Sequence, residues 1–258
     1  MTTRFDGAEL HRRPDELIVE EPLEVRLDGH LVGTTMRTPG HDFELAAGLC
    51  FGDGLLDGAP VEVCRYCGTG SAAATGFNVV TVETGGRAPV PTARLGTTSS
   101  SCGVCGTADV GALTERLGPL VDPVRFDPAA LAAVPAALVG RQPLFEATGA
   151  VHAAAAVTGE GEVVVVREDI GRHNAVDKVV GRLLLDGRLP ADDLVLYVSG
   201  RASFEMVQKA WAAGFPAVVA VSAPSALAVE TARRANLTLV GFARSGQANV
   251  YSPDPAAT

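Results

Sequence analysis

Residues 163–187 read VVVVREDIGRHNAVDKVVGRLLLDG, and this stretch predicts a strand, a polar loop and a helix in succession. The four valines at residues 163–166 form the short apolar run of a buried strand. After the loop, apolar residues recur at helical spacing on one face: Val176, Val179, Val180, Leu183 and Leu184. Asn174 is the predicted N-cap of this helix, and Gly187 ends it.

The same alternation continues toward the C-terminus. Further strands are predicted at residues 194–198, 217–221 and 237–242, and the helices between them are predicted to begin after Ser203 and Ser225. A strand–helix succession of this length predicts a mostly parallel sheet covered by helices on both faces. We therefore predict an α/β domain over residues 119–258.

The first part of the chain is richer in strands. Apolar and charged residues alternate over residues 16–32 around Asp28-Gly29, which predicts a β-hairpin. A helix is predicted from Asp42 and another strand near residues 77–82, while the polar residues 1–14 are expected to be loosely ordered. We predict a smaller, β-rich α+β domain over residues 1–118.

Composition narrows the class of protein. The chain has 258 residues, 47% of them hydrophobic, with a net charge of −9. This acidity argues against a general nucleic-acid binder, so an anionic ligand would need a local cluster of basic residues. No apolar run reaches transmembrane length and no hydrophobic signal segment opens the chain. Together with an odd number of cysteines, five, these features predict a cytoplasmic protein with free thiols and no membrane insertion.

A pair of thiols marks the first candidate site. Residues 97–106 read TTSSSCGVCG, which places Cys102 and Cys105 in a small, hydroxyl-rich loop. A helix is predicted to begin just after it, at Thr107, and a helix N-terminus favours a nearby thiolate. Thiols in such a place can attack, carry or exchange sulfur.

Other interpretations of the cysteines stay open. Cys64 and Cys67 form a second Cys-x-x-Cys pair, so all four thiols could hold zinc in a nucleotide-binding module without chemistry of its own. A dithiol oxidoreductase is a third hypothesis, although a buried strand does not precede the 102–105 pair as it does in thioredoxin-like proteins. Cys50 lies in an apolar helical pattern and is predicted to pack in the core.

Four loops leave the carboxyl ends of the predicted strands, where such sheets bind ligands. They are loop one (residues 167–174), loop two (199–203), loop three (222–225) and loop four (243–247). Loops one to three precede helices, whose N-termini suit phosphate. The loops would gather four basic residues into one anion site: Arg172, His173, Arg201 and Arg244.

Further polar residues have two interpretations each. His152 lies in a run of small residues and fits either the core or the site. Glu168, Asp169 and Asp177 could act as general bases or as salt-bridge partners of neighbouring cations such as Arg172 and Lys178.

With these residues in hand, the chain resembles the formate dehydrogenase accessory sulfurtransferase family, FdhD, from about residue 16 to 251. The resemblance is carried by RTPGHDFELA (37–46), TSSSCGVCG (98–106), REDIGRHNAVDK (167–178), SGRASFEM (199–206), SAPSA (222–226) and GFARSG (241–246). It implies a carrier that accepts persulfide sulfur from a cysteine desulfurase. The carrier would pass that sulfur to the molybdenum cofactor, in its bis-molybdopterin guanine dinucleotide form, before insertion into formate dehydrogenase.

The resemblance also implies residue roles and a fold. Cys102 would carry the persulfide and Cys105 would assist or resolve it. The cofactor-binding segment would be residues 242–247: Phe242, Ala243, Arg244, Ser245, Gly246 and Gln247, the last standing where many relatives carry a basic residue. Relatives are homodimers, and their second half resembles the cytidine deaminase fold.

Deaminase chemistry itself is not expected from that fold. A zinc deaminase needs His-x-Glu and a later Pro-Cys-x-x-Cys. Here Ala154 stands two residues after His152, and Ser101 precedes Cys102, so both the catalytic glutamate and the motif proline are missing.

Overall fold

The computed structural model describes residues 1–67, 71–91, 117–253 and the backbone of residues 97–98. It opens with an exposed antiparallel hairpin, β1 (Thr2–Phe5) and β2 (Leu10–Arg13). The expectation that residues 1–14 are loosely ordered is therefore wrong. Backbone pairing forms the hairpin although nearly all its side chains are exposed, so hydrophobic patterning did not reveal it.

A five-stranded sheet follows. It contains β3 (Glu21–Leu27), β4 (His30–Arg37), β5 (Val63–Tyr66), β6 (Val79–Glu83) and the short β7 (Thr97–Thr98), in the order β5-β6-β3-β4-β7. Asp28 and Gly29 turn β3 into β4 with φ of 46° and 84°, which confirms the predicted hairpin. Helix α1 (Asp42–Gly52) packs on this sheet and buries Leu45 and Cys50, so the prediction for Cys50 is confirmed.

The second part of the chain alternates helices and strands. Its elements are α2 (Pro128–Ala137), α3 (Pro143–Thr148), β8 (His152–Thr158), β9 (Val163–Asp169), α4 (Arg172–Leu185), β10 (Leu194–Val198), α5 (Phe204–Ala212), β11 (Ala217–Ala220), α6 (Ala226–Ala235), β12 (Thr238–Arg244) and β13 (Gln247–Ser252). Helices α4, α5 and α6 share one core against the sheet, and α2 packs in a second core on the other face. The predicted two-sided covering is confirmed.

The six-stranded sheet is mixed rather than mostly parallel, with the order β13-β12-β11-β10-β8-β9. Only β10–β11 and β11–β12 pair in parallel, because β8 and β13 enter as antiparallel neighbours. Short turns cause this, since a strand returning through a few residues must pair antiparallel. Strands β9, β10, β11 and β12 nevertheless all run in one direction, so their carboxyl ends share one edge of the sheet.

The two sheets meet where α1 crosses α4. A Cβ placed on Gly48 would lie 1.9 Å from the carbonyl oxygen of Asp177, and one on Gly181 would lie 1.8 Å from that of Glu44. The helix backbones therefore touch at a point that admits only glycine. The predicted domain limits, 1–118 and 119–258, fall between the two sheets and stay a prediction, as does the deaminase-like fold of the second.

Within residues 1–67, 71–91 and 117–253, no helix combines the length and the apolar character that a bilayer crossing needs.

Candidate functional site

Backbone hydrogen bonds join loop two to loop three, and loop three to the residue just before loop four, at the shared edge. In loop three, the N–H of Ser222 donates to the carbonyl of Gly200 (3.3 Å), and the N–H of Ser225 donates to that of Ala202 (3.0 Å). The N–H of Phe242, the first residue of the segment 242–247, donates to the carbonyl of Ser222 (3.2 Å). The predicted neighbourhood of these loops is therefore real, although the sheet beneath them is mixed.

His152 lies at this edge, on the second strand from one side of the sheet. It opens β8, is paired in register with Asp169, and lies so close to loop two that a Cβ on Gly200 would come within 3.4 Å of its Nδ1. Burial lowers the pKa of His152, and the positive charges of Arg172, His173 and Arg201 lower it further. The structure therefore gathers these three predicted basic residues around His152.

Two buried polar atoms at this edge point toward a ligand. Among the described residues, Nε of Arg172 and Oγ of Ser203 have no hydrogen-bond partner. Ser203 is the N-cap of α5 but makes no side-chain capping bond, and Gly171 occupies the N-cap of α4. Unpartnered polar atoms are costly when buried, and the two helix N-termini beside them attract anions. An anionic group would satisfy these atoms.

The remaining basic residue lies farther along the edge. Arg244 ends β12, three strands from β8, or about 14 Å at the usual strand spacing. It is exposed, as is Arg201. The segment 242–247 turns tightly here, with positive φ at Phe242, Ser245 and Gly246. The edge is therefore long enough for an extended ligand rather than a single phosphate.

A cavity of about 460 Å³ opens beside His152. Its lining includes Phe145, Tyr197, Val151 and Val221, together with the polar residues Ser199 and His152. The volume is typical of small-molecule sites, and the walls are mostly apolar with few polar groups. The sequence does not reveal this cavity, because Phe145 and Tyr197 come from elements far apart in the chain.

All three candidate general bases form salt bridges or hydrogen bonds within the protein. Asp169, fully buried, pairs with Lys178 (2.7 Å), and Asp177 pairs with Lys209 (2.6 Å). Glu168 accepts hydrogen bonds from the N–H groups of Leu144 and Phe145, at 3.0 and 2.8 Å. Of the two interpretations, salt bridging fits Asp169 and Asp177, but the partner of Asp177 is Lys209, and Arg172 is partner to neither.

Loop one also binds the first part of the chain. The carboxylate of Asp169 accepts from the N–H of Thr38 (3.1 Å), while Nζ of Lys178 donates to the carbonyl of Thr38 (3.0 Å). Asn174 donates to the carbonyl of Met36 (2.8 Å) and to Asp169 (3.0 Å). The prediction of Asn174 as an N-cap is therefore wrong: α4 begins two residues earlier, and Asn174 holds the two parts together.

Of the two Cys-x-x-Cys pairs, the structure describes only the pair at residues 64 and 67. Cys102 and Cys105 lie outside the described residues. Cys64 lies on β5, and burial, helped by Glu83, raises its pKa to about 11; Cys67 follows β5 with φ of 66°. Within the part of the chain that the structure describes, no group of three His, Cys, Asp or Glu side chains is arranged to hold a metal. A zinc site shared by all four cysteines stays an untested prediction.

The fold and this edge define a mixed α/β protein whose loops gather basic residues at the carboxyl ends of its strands. A family model described as the FdhD/NarQ family matches residues 18–256. The chain belongs to the FdhD/NarQ family.

Curated relatives agree with this assignment over nearly their whole length. The sulfur carrier protein FdhD of Streptomyces coelicolor is 49% identical, covering 96% of this chain and 90% of its own. That of Corynebacterium efficiens is 46% identical, covering 94% and 91%. A crystal structure from Desulfotalea psychrophila, described as a formate dehydrogenase accessory protein, has a TM-score of 0.74 and 24% identity, covering 98% of this chain and 96% of its own. That likeness shows the fold alone.

Proposed function

We propose that this protein is a sulfur carrier for the molybdenum cofactor. It accepts sulfur from a cysteine desulfurase on Cys102 and delivers it to the bis-molybdopterin guanine dinucleotide form of the cofactor, which then enters formate dehydrogenase. The observation that carries the proposal is the 49% identity, over 96% of the chain, to relatives named sulfur carrier protein FdhD. A homodimer and a cytoplasmic location belong to the same proposal.

The chemistry of the two thiols balances without an external oxidant. The Cys102 thiolate attacks the outer sulfur of the donor's persulfide, breaks the S–S bond, and releases the donor's thiolate. Cys102 then holds a persulfide. Attack by the Cys105 thiolate on the inner sulfur releases hydrosulfide and leaves a Cys102–Cys105 disulfide, so the two thiols supply both electrons. A cellular thiol reductant restores them for another cycle.

The cofactor substrate needs sites for pyrophosphate. Arg172 with Ser203, at the N-termini of α4 and α5, would bind one phosphate group and satisfy their buried polar atoms. Arg244 and the segment 242–247 would bind a second region of the same ligand. The cavity beside His152 would accept a guanine base against Tyr197.

Mass spectrometry tests the sulfur step. After incubation with a cysteine desulfurase and cysteine, we expect one extra sulfur on the Cys102 peptide, and Cys102→Ala should abolish it. Cys105→Ala should retain the extra sulfur because release is blocked. Cys64→Ser is the matched control and should behave as the unchanged protein. A Cys102→Ala protein that still activates formate dehydrogenase in cells would overturn the proposal.

Binding of guanosine diphosphate tests the anion site separately. A charged hydrogen bond contributes about 1.5–3 kcal/mol, so Arg172→Gln should weaken binding about tenfold or more in calorimetry. Arg233→Gln, which removes an exposed arginine on α6, is the control and should leave the affinity unchanged. Equal affinities in both variants would place the nucleotide elsewhere.

A further inference from the structure

Strand β9 is the outermost strand on one side of the six-stranded sheet. Among the described residues it pairs with β8 alone, so its other side lacks a neighbouring strand. Val163, Val164 and Val166 are partly exposed along it. The backbone groups of an open edge strand can pair with an added strand.

A basic cavity of about 500 Å³ runs beside this edge. Four arginines and one aspartate line it: Arg141, Arg167, Arg182, Arg188 and Asp186. In a chain with a net charge of −9, this is a local reversal of sign. The last turn of α4 lies here, about 20 Å along the helix from its first turn.

Two of the arginines are held in place. Arg167 donates to the carboxylate of Glu44 (2.8 Å) and to the carbonyl of Val166 (2.7 Å), and Arg182 donates to Asp186 (2.7 Å). Arg141 and Arg188 are exposed, and neither forms a salt bridge within the described residues. Arg141 and Arg188 are therefore available to bind carboxylates of another molecule.

We propose that β9 and this cavity form a docking surface for an extended acidic segment of a partner protein. The segment adds to β9 as a strand along Val163–Val165, and its carboxylates bind Arg141 and Arg188. A second copy of this chain does not fit, because pairing β9 with β9 would bring the arginines of both copies together.

The arginines also select among strands. Charged side chains protect edge strands from unwanted pairing. A positive charge repels a basic strand and forms no favourable contact with an apolar one. An acidic strand meets the opposite outcome, since the same charges attract it. This surface is independent of the sulfur-transfer proposal, and either can fail without the other.

Fluorescence anisotropy with a labelled peptide of alternating glutamate and valine tests the surface. We expect the full-length protein to bind it at low salt and at least tenfold more weakly at high salt. Arg141→Gln combined with Arg188→Gln should also weaken binding at least tenfold. The matched control combines Arg233→Gln with Arg234→Gln, which removes the same charge from exposed positions on α6 and should change binding less than twofold.

Two further measurements separate strand pairing from charge attraction. A peptide N-methylated on alternate amides, with identical charge, should bind at least tenfold more weakly, and amide exchange at Val164 should slow when the unmodified peptide binds. No binding, equal binding of a lysine–valine peptide, or equal loss in the control variant would overturn the proposal. So would a dimer in light scattering that the Arg141→Gln, Arg188→Gln variant dissociates, because the surface would then hold a second copy.

Discussion

The crossing of α1 and α4 predicts a large effect from one added methyl group, in Gly181→Ala. The new Cβ would lie 1.8 Å from the carbonyl oxygen of Glu44 and 2.8 Å from the nitrogen of Gly48. Both atoms belong to the backbone, so rotating a side chain cannot relieve the contact. Restoring ordinary van der Waals separation needs the helices to move apart by roughly 1.5 Å.

The expected magnitude follows from two opposing effects. Alanine favours a helix over glycine by about 1 kcal/mol. Overpacking costs about 1–3 kcal/mol, and more when backbone must move. Separation of these helices would also stretch the buried bond from Lys178 to the carbonyl of Thr38, now 3.0 Å. We expect a net loss of about 2 kcal/mol in the free energy of unfolding, or a melting temperature about 4–8 °C lower.

Urea unfolding followed by far-ultraviolet circular dichroism measures this loss. Gly33→Ala is the control, because a Cβ there meets nothing within 4 Å. Its stability should change by less than about 1 kcal/mol. A Gly181→Ala protein as stable as the unchanged one would refute the argument that the backbones touch at this point.

Four further substitutions, each at a single side chain, have predictable effects. Ser225→Ala should lose about 1 kcal/mol because its hydroxyl caps α6, whereas Ser203→Ala should keep its unfolding free energy and lose affinity for guanosine diphosphate in calorimetry. Arg37→Met should lose about 3–5 kcal/mol in urea unfolding because it leaves the buried Asp42 carboxylate unpaired. Burial raises the pKa of Asp177 from 3.8 to about 6, so the folded state holds that proton more tightly. Relative to Asp177→Asn, the unchanged protein should therefore lose stability as the pH rises from about 4 to 6, measured by urea unfolding across that range.

Each of these predictions has an outcome that contradicts it. Equal losses of stability in Ser203→Ala and Ser225→Ala would mean that Ser203 serves the fold rather than a ligand. Stable Arg37→Met protein would mean that Asp42 finds other partners. A stability difference between the unchanged protein and Asp177→Asn that stays constant with pH would show that this carboxyl does not titrate in that range.

Local patterns were predictable from the sequence where one residue type dominates the physics. Asp28-Gly29 adopts the positive φ of a tight turn, as this pair of residues predicts. The shared edge of the loops also followed from strand order along the chain. The turn depends on neighbouring residues alone, whereas the shared edge depends on the direction in which each strand runs.

Features that depend on distant neighbours were not predictable. Strand β8 is nearly all alanine from Ala153 to Ala156, which carries no period to distinguish strand from helix, so its antiparallel insertion went unseen. Asn174 has the residue type of a cap, but Met36, far away in the chain, determines its position. Ser203 was predicted as a cap from its place before α5, and only the surroundings show its hydroxyl without a partner.

The hydrogen bonds of Asp169 and Lys178 to Thr38 affect how the two sheets can move. Asp169 accepts from the N–H of Thr38 and Lys178 donates to the carbonyl of the same residue, and Arg172 lies between Asp169 and Lys178 in the chain. These two bonds, together with the contact between α1 and α4, resist movement of one sheet relative to the other. In the sulfur-transfer proposal, the sulfur must then be carried by the loops or by the arriving molecules, because the two sheets keep their relative position.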